Sequence, residues 1–203
     1  MTAGYRVPAA AHRVEDVIER SRFITTLDRA STVEAARACI DRIRGEFPAA
    51  THNCWAYVAG PPGSASAIGF SDAGEPHGTA GRPMLDVLQH AHIGEVVAVV
   101  TRYYGGTKLG RGGLVRAYGG CVQHALQTLG TITLIERTSL LVTVSYGDVE
   151  LLRRMLARHE AEVRDETYGG EVQYSVAVPI ATLDAFQREL MDATAGRAQV
   201  SRL

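Results

Sequence analysis

Glycines and cations concentrate in one stretch of the chain. Between Thr101 and Gly120 there are seven glycines, four cations and no acidic residue. Glycine lets a backbone turn through positive φ or come close to a ligand, and clustered cations attract an anionic ligand. Lys108 in this stretch is the single lysine of the chain, beside twenty arginines. The pattern predicts a surface that receives a phosphate-bearing partner.

The glycine-rich turn of this stretch has the features of a phosphate site. It precedes a helix expected to begin at Leu114, and the backbone N–H groups at a helix start favour phosphate. Lys108 and Arg111 would contact the phosphate, whereas Arg102 and Arg116 would shape the surrounding field. The spacing matches neither a Walker loop nor the G-x-G-x-x-G pattern. The glycines of the predicted site are Gly105, Gly106, Gly110, Gly112 and Gly113.

The same residues also have a purely structural interpretation. The glycines would then serve a tight turn, and the cations would be solvated or paired with Asp72, Glu75 and Glu95. The aromatic pair at Tyr103 and Tyr104 is open to a similar choice, because strand alternation places the two rings on opposite faces. Only one of them can offer a stacking surface, as single-strand binders do. Tyr104 is the one included in the predicted site.

An earlier glycine-rich turn, residues 71–82, carries acids in front of a second helix. Asp72 and Glu75 are placed to act as general base and acid. Alternatively they cap the helix after Arg82, or pair with Arg82 or Arg102, and this second interpretation is preferred. The predicted site residues of this turn are Asp72, Glu75, Gly78, Thr79, Gly81 and Arg82.

Metal binding and nucleophilic catalysis are the weaker alternatives. No spacing in the chain matches a recognised metal-binding motif, although five potential ligands occur. Cys54 with His52, or Ser71 with His77, has the residue types of a catalytic dyad, but no nucleophile elbow is present. We therefore predict no metal and no cofactor, and we assign no catalytic residue. The potential metal ligands are His52, Cys54, Asp72, Glu75 and His77.

Length and composition are those of an ordinary soluble globular protein, and the cysteine usage indicates the reducing cytoplasm. The 203 residues are 46% hydrophobic and 21% charged, with a net charge of −1, so any nucleic-acid contact must come from a local patch. No apolar run approaches the about 18 residues that span a bilayer, and no leader pattern opens the sequence. Three dispersed cysteines, at positions 39, 54 and 121, do not indicate a disulfide framework.

Periodicity and turn signals predict an α/β arrangement up to residue 130. Ser31 opens a capping box with Glu34 at the start of the first helix, and Pro83 suits the first position of the second. The strand 95–104 is apolar enough to be buried on both faces. Strands are expected at residues 14–18, 23–27, 52–59, 65–70 and 95–104, and helices at residues 33–47, 83–93 and 114–129.

The rest of the chain predicts a second domain. Residues 131–137 are interpreted as a link, after which strands and helices follow in the order β-α-β-β-α-β, a ferredoxin-like arrangement. Asp148 is expected to cap the first helix of this domain, and Gly169 with Gly170 indicates a two-residue hairpin. The predicted domains are residues 1–130 and 131–203.

Four blocks of this sequence resemble the signature of the YigZ/IMPACT family. They are SRFI (21–24), THNCWAY (51–57), SDAGEPHGTAGRPML (71–85) and TRYYGGTKLGRGGLVRAY (101–118). The family's first turn usually has Asp-Asp-Gly-Glu-Pro, whereas this chain has Ala73 in place of the second acid. A metal site that needs that carboxylate is therefore disfavoured here.

The resemblance implies a fold and a class of function. The N-terminal domain would be similar to the second domain of ribosomal protein S-five and domain IV of elongation factor G, followed by the ferredoxin-like domain. Eukaryotic relatives regulate translation through a protein partner, and RNA or ribosome binding is proposed for the bacterial branch. The chain is thus expected to be a cytoplasmic regulator of translation that binds RNA, the ribosome or a translation-associated protein, and no membrane. A small phosphorylated-ligand-binding protein or hydrolase, and a protein-interaction module, are the alternatives.

Overall fold

The computed structural model describes residues 4–64 and 67–203. It confirms the mixed α and β composition and divides into two compact units, one formed by Tyr5–Leu134 and one that includes Ile135–Leu203. No helix within the described residues is long and apolar enough to cross a membrane.

The elements of the first unit are β1 Tyr5–Pro8, β2 His12–Ile18, β3 Ser21–Arg29, α1 Val33–Glu46, β4 His52–Val58, β5 Ile68–Ser71, α2 Gly81–His90, β6 Val96–Tyr103, α3 Gly110–Thr128 and β7 Thr131–Leu134. Five strands form one sheet in the order β2–β3–β6–β4–β5, in which every neighbouring pair is antiparallel. A two-stranded sheet pairs β1 with β7.

The central strand β6 is buried on both faces, as its apolar sequence predicts. Val96, Ala98 and Val100 belong to the core formed with α2 and α3. Val97 and Val99 belong to a separate core with α1. Because successive strand residues point to opposite faces, α1 covers one face of the sheet and α2 with α3 covers the other.

Several element starts differ from the sequence prediction. The first helix is capped by Thr32 rather than Ser31, because the Thr32 side chain accepts a 3.1 Å hydrogen bond from the backbone N–H of Ala35. The second helix begins at Gly81, two residues before Pro83. Strand β5 begins at Ile68, and positions 65 and 66 of the predicted strand lie outside the described residues.

A short strand stands where the sequence was interpreted as a link. Thr131–Leu134 pairs antiparallel with Tyr5–Pro8, and Ala9 donates a 2.9 Å hydrogen bond to the carbonyl of Gly130. The alternating Thr-Ile-Thr-Leu sequence has the β-branched residues that favour a strand. The first compact unit therefore extends to Leu134.

The elements of the second unit are β8 Arg137–Val144, α4 Val149–Arg158, β9 Glu162–Tyr168, β10 Val172–Pro179, α5 Leu183–Ala193 and β11 Gln199–Arg202. They follow one another as β-α-β-β-α-β, the predicted order. The strands form a four-stranded antiparallel sheet in the order β11–β8–β10–β9. Asp148 lies at the start of α4 without a capping bond and instead accepts hydrogen bonds from Ser145 and Arg197.

Candidate functional site

The two glycine-rich turns meet at one cleft in the first unit. The cleft has a volume of about 300 Å³. Arg111, from the first turn of α3, donates a 2.8 Å hydrogen bond to the carbonyl of His77 in the earlier turn. The lining residues are Glu75, Pro76, Arg102, Tyr104, Lys108, Leu109, Gly110, Arg111 and Leu114.

A buried ion pair forms the inner wall of the cleft. Nη1 of Arg102 donates a 2.6 Å hydrogen bond to Oε1 of Glu75, and the Tyr118 hydroxyl donates to the same oxygen at 2.8 Å. Burial raises the pKa of the Tyr118 hydroxyl far above its ordinary value. This hydroxyl therefore remains protonated and keeps its role as a donor.

The sequence predicted that Arg102 would add to the positive electrostatic field around a bound phosphate. Arg102 is instead buried. It is 5% exposed, and its side-chain charge is already matched by Glu75. Alternation along β6 explains its burial, because every second residue points to the same face. Arg102 therefore points to the face of the sheet that packs against α2 and α3, as Val96, Ala98 and Val100 do. The structural interpretation is correct for this residue.

Asp72 organises the earlier turn through backbone groups. Its carboxylate accepts hydrogen bonds of 2.8–2.9 Å from the N–H groups of Gly78, Ala80 and Gly81, the last two at the start of α2. Partial burial raises the pKa of Asp72, but these three donors outweigh it and leave the pKa below its ordinary value. Asp72 therefore caps α2 from a distance in sequence.

The other residues of the earlier turn have structural contacts. The buried Thr79 hydroxyl donates to the carbonyl of Pro76 at 2.6 Å. Arg82 pairs with Asp86 at 2.8 Å, one helical turn away, and not with Asp72 or Glu75. A Cβ on Gly81 would lie 2.7 Å from the backbone of Ser71, so this position requires glycine.

The residue pairs with nucleophilic chemistry are not assembled. Cys54 donates its thiol hydrogen to the carbonyl of Asp72 at 2.9 Å, while Nδ1 of His52 contacts the carbonyl of Ala73 at 2.9 Å. Burial raises the pKa of the Cys54 thiol to about 12, which keeps it protonated at neutral pH. Ser71 accepts a hydrogen bond from Ala73, and no bond joins it to His77 among the described residues.

The five potential metal ligands approach one another only in pairs within the described residues. Nowhere in residues 4–64 and 67–203 do three His, Cys, Asp or Glu side chains come together in a way that could hold a metal ion. His77 is almost fully exposed, and its Nδ1 lies 3.8 Å from Asp72. Nε2 of His52 lies 4.0 Å from Oε2 of Glu75.

Three cations at the cleft and the start of α3 are exposed. Lys108, Arg111 and Arg116 make no ion pair with any acid in the described part of the chain. This separates them from Arg102, Arg29 and Arg22, which pair with Glu75, Glu95 and Glu15. Their charges are available to an anionic partner.

Helix α3 begins four residues before the predicted start at Leu114. Gly110, Gly112 and Gly113 therefore form part of its first turn rather than a preceding loop. The residue at its N-cap position, Leu109, makes no side-chain hydrogen bond to the helix, and the first turn carries no acidic residue. The backbone N–H groups at this end therefore lack both a side-chain acceptor and a neutralising acid.

The remaining glycines shape the turn between β6 and α3. Gly105 lies directly against the β2–β3 hairpin, where an added Cβ would be 1.8 Å from the carbonyl oxygen of Arg20. Gly106 has a φ of +86°, in the left-handed region that favours glycine. These two positions fix the path that presents Lys108.

The two tyrosines differ in exposure. Tyr104 is 46% exposed and lines the cleft, with the Arg102 guanidinium 5.6 Å from its ring centre. Tyr103 is half-buried, with Arg22 5.7 Å from its ring centre. Tyr104 is therefore the tyrosine that a ligand in the cleft would meet.

A second cleft, of about 440 Å³, lies on the other side of Lys108. The β2–β3 hairpin forms one wall of this cleft with Ile18 and Glu19. The opposite wall is formed by the turn between β6 and α3 and by Arg116. Sequence reasoning did not place this hairpin at the site. The polar Glu19-Arg20 pair indicates a turn, but only the close approach to Gly105 shows what it contacts.

Family models cover most of the chain. The Impact N-terminal domain matches residues 19–126, and a domain of unknown function, DUF1949, matches residues 142–197. The chain belongs to the IMPACT family. This confirms the resemblance found in the sequence. The matched N-terminal segment contains both glycine-rich turns, the whole lining of the first cleft and all of the second cleft's lining except Ile18.

Individual IMPACT relatives align over nearly the whole chain. An IMPACT family member of Haemophilus influenzae is 42% identical over 99% of this chain and 98% of its own length. IMPACT family member YigZ of Escherichia coli is 42% identical over 96% of this chain and 95% of its own. A crystal structure described as that of a hypothetical protein is 40% identical, covers 100% of this chain and 98% of its own, and superimposes with a TM-score of 0.71.

Proposed function

We propose that this IMPACT-family protein binds RNA, alone or within the ribosome, and regulates translation in the cytoplasm. The observation that supports this most is a set of three exposed cations that form no ion pair within the described residues: Lys108 just before α3, and Arg111 and Arg116 in its first two turns. The stretch around them has no acid from Thr101 to Gly120. A phosphate there would meet side-chain charge and the positive end of a 19-residue helix together.

The charge balance favours a local contact rather than a general polycation surface. The net charge of −1 gives the whole molecule no attraction for nucleic acid. Binding would therefore depend on a few phosphate contacts, each of which releases counterions. Affinity is expected to fall with salt, with a slope set by the number of phosphates that the protein neutralises.

We also propose specific fold relationships for the two units. The five-stranded sheet with helices on both faces supports a fold like the second domain of ribosomal protein S-five and domain IV of elongation factor G. The β-α-β-β-α-β order with sheet order β11–β8–β10–β9 supports a ferredoxin-like second domain. Both comparisons are with proteins of translation, which agrees with the proposed function.

The test is a salt series of RNA binding with a charge-matched control. Filter binding or ribosome co-sedimentation is measured for the parent, for the double variant Lys108→Ala with Arg111→Ala, and for Arg37→Ala with Arg44→Ala. The control removes two exposed arginines from α1, on the opposite face of the sheet. It has the same change in net charge.

The two double variants should behave differently. Removal of Lys108 and Arg111 should weaken binding and reduce the slope of log affinity against log salt by about 0.7–0.9 for each phosphate that is no longer neutralised. The α1 control should bind as the parent does. Equal behaviour of the two double variants at every salt concentration would show that the glycine-turn cations do not bind RNA.

A small phosphorylated ligand is the second candidate, because the cleft between the turns has a suitable size. Its volume of about 300 Å³ lies at the lower end of small-molecule sites, which begin at about 300 Å³. Thermal unfolding in the presence of nucleotides and phosphorylated metabolites tests this candidate. A specific ligand raises the melting temperature, and the rise continues with the logarithm of its concentration above the dissociation constant.

A further inference from the structure

We infer that the cleft between the glycine turns receives one unpaired nucleobase, while Lys108 holds the phosphate that joins it to the next nucleotide. RNA would then be bound as a single strand. This inference rests on the proposed function and adds the form of RNA that the site selects. Four observations support it: the charge of the inner wall, the position of Tyr104, the apolar lining and the place of Lys108.

The inner wall of the cleft does not suit a phosphate. The charge of Arg102 is already matched by Glu75, so the buried pair offers no net positive charge. Glu75 lines the cleft, and its Oε2, which lies 4.0 Å from Nε2 of His52, accepts no hydrogen bond from any described residue. A carboxylate oxygen repels phosphate and accepts from N–H groups, which nucleobase edges carry.

An aromatic ring stands at the side of the same cleft. Tyr104 leaves 46% of its surface exposed, and the Arg102 guanidinium lies over the ring, 5.6 Å from its centre. Base stacking on such a ring is tolerant of sequence and contributes strongly to single-strand binding. The exposed part of the ring therefore offers a contact to a planar ligand.

The cleft has an apolar lining besides the ring. Pro76, Leu109 and Leu114 line it together with the groups described above. An uncharged, flat group fits such a lining better than a hydrated phosphate, because removing charge from water is costly. The base therefore belongs inside the cleft, and the phosphate belongs at its rim.

Lys108 and Leu109 line both clefts and thus stand between them. A ligand that occupied both clefts would pass over the exposed Lys108 ammonium. In a nucleic-acid strand, the group between two successive nucleosides is a phosphate. The arrangement therefore matches a chain of nucleotides, and a duplex does not fit because its bases are paired and stacked away from the protein.

The test compares the affinity of the full-length protein for single-stranded and for double-stranded RNA. Fluorescence anisotropy is measured with a labelled oligouridylate of about 12 nucleotides, within the range that single-strand binders cover, and with the same strand annealed to oligoadenylate. The variants are Tyr104→Ala and Tyr104→Phe. Phe70→Ala is the control, since Phe70 is a 42% exposed aromatic residue of the same unit that lines neither cleft.

We expect the single strand to bind at least about tenfold more tightly than the duplex. Tyr104→Ala should weaken single-strand binding by about tenfold, the effect of removing one base–aromatic stack, without changing duplex binding. Tyr104→Phe and Phe70→Ala should bind as the parent does. These results together would support a stacked base at Tyr104.

Three results would overturn the inference. Equal affinity for duplex and single strand, still dependent on Lys108 and Arg111, would leave the proposed function standing and exclude the base pocket. Competition by uridine monophosphate as strong as that of the unlabelled oligonucleotide would identify a small-molecule site instead. Absence of binding to either RNA and to ribosomes would refute the inference and the proposed function together.

Discussion

Arg102 and Glu75 form a buried ion pair that joins the end of strand β6 to the first glycine-rich turn. The two atoms in contact, Nη1 and Oε1, are 2.6 Å apart, and both side chains are almost fully buried. The pair and the Tyr118 hydroxyl that shares Oε1 connect β6, α3 and the turn before α2. The shape of the candidate site therefore depends on one carboxylate.

Removal of that carboxylate should be strongly destabilising. Glu75→Ala leaves the Arg102 charge buried without its partner, and breaking a buried pair in this way costs about 3–5 kcal/mol. The free energy of unfolding, measured by urea denaturation, should fall by this amount. Asp86→Ala is the control, since it breaks an exposed pair with Arg82 and should cost less than about 1 kcal/mol. Equal losses in the two variants would contradict the structural role of Glu75.

The Asp72 carboxylate should make stability depend on acid. Its pKa is lower in the folded protein than the ordinary value of 3.8, because three backbone donors outweigh the effect of burial. Its contribution is therefore complete above that value and is lost as the pH falls through the lowered folded pKa. Urea denaturation should show Asp72→Asn less stable than the parent at pH 7, by about 1.5–3 kcal/mol for hydrogen bonds to a charged group, with a smaller difference below about pH 4.

The matched variant for this measurement is Asp41→Asn. Asp41 is 74% exposed in its side chain and has a single 3.5 Å contact with Arg44. Its substitution should change stability little at either pH. A constant difference between Asp72→Asn and the parent across the acid range would show that the backbone hydrogen bonds do not hold the charged form.

Two glycine-to-alanine substitutions in the same unit should have opposite signs. At Gly105 an added Cβ would lie 1.8 Å from the carbonyl oxygen of Arg20, so the β2–β3 hairpin would have to move. Gly105→Ala should therefore lower the free energy of unfolding by at least the about 1–3 kcal/mol that ordinary overpacking costs. Gly120 lies inside α3 with nothing within 4 Å of the added Cβ. Gly120→Ala should therefore stabilise the protein by up to about 1 kcal/mol. Thermal unfolding of both variants measures the difference, and a neutral Gly105→Ala would refute the close approach.

Two alanines occupy backbone conformations that favour glycine. Ala73 has a φ of 45° and Ala195 a φ of 48°, and this region costs a side chain about 1–2 kcal/mol. Ala195 is exposed, so Ala195→Gly should raise the free energy of unfolding, by up to about 1 kcal/mol once the entropy cost of glycine is included. Ala73→Gly should gain less, because Ala73 packs against the core. A loss of stability in Ala195→Gly, measured by urea denaturation, would contradict this.

The secondary structure was predictable where the pattern is local. The strand Val96–Tyr103 and the β-α-β-β-α-β order follow from apolar runs and turn signals, and the structure confirms both. The start of α3 could not be predicted in this way, because Gly110, Gly112 and Gly113 have a low intrinsic helix propensity. Packing of the later part of the helix, from Leu114 onward, against the sheet decides the outcome.

Which cations of the site are buried and which are exposed could not be predicted from the sequence. Arg102 and Lys108 are six residues apart and similar in charge, but one is in an ion pair and the other is exposed. The partner of Arg102 lies 27 residues earlier in the chain, a distance at which spacing carries no information. The ligand contacts of Lys108 and Arg111 stay predictions until binding is measured.

The pairing of Tyr5–Pro8 with Thr131–Leu134 brings the beginning and end of the first unit side by side. A new peptide connection between these ends would be short, and new termini could be opened at an exposed loop, since circular permutation succeeds at such sites. The same pairing sets an order on biosynthesis. Arg6 of the first strand forms a bridge with Ile93, but the pairing of this strand with residues 131–134 is completed only after about two thirds of the chain has left the ribosome.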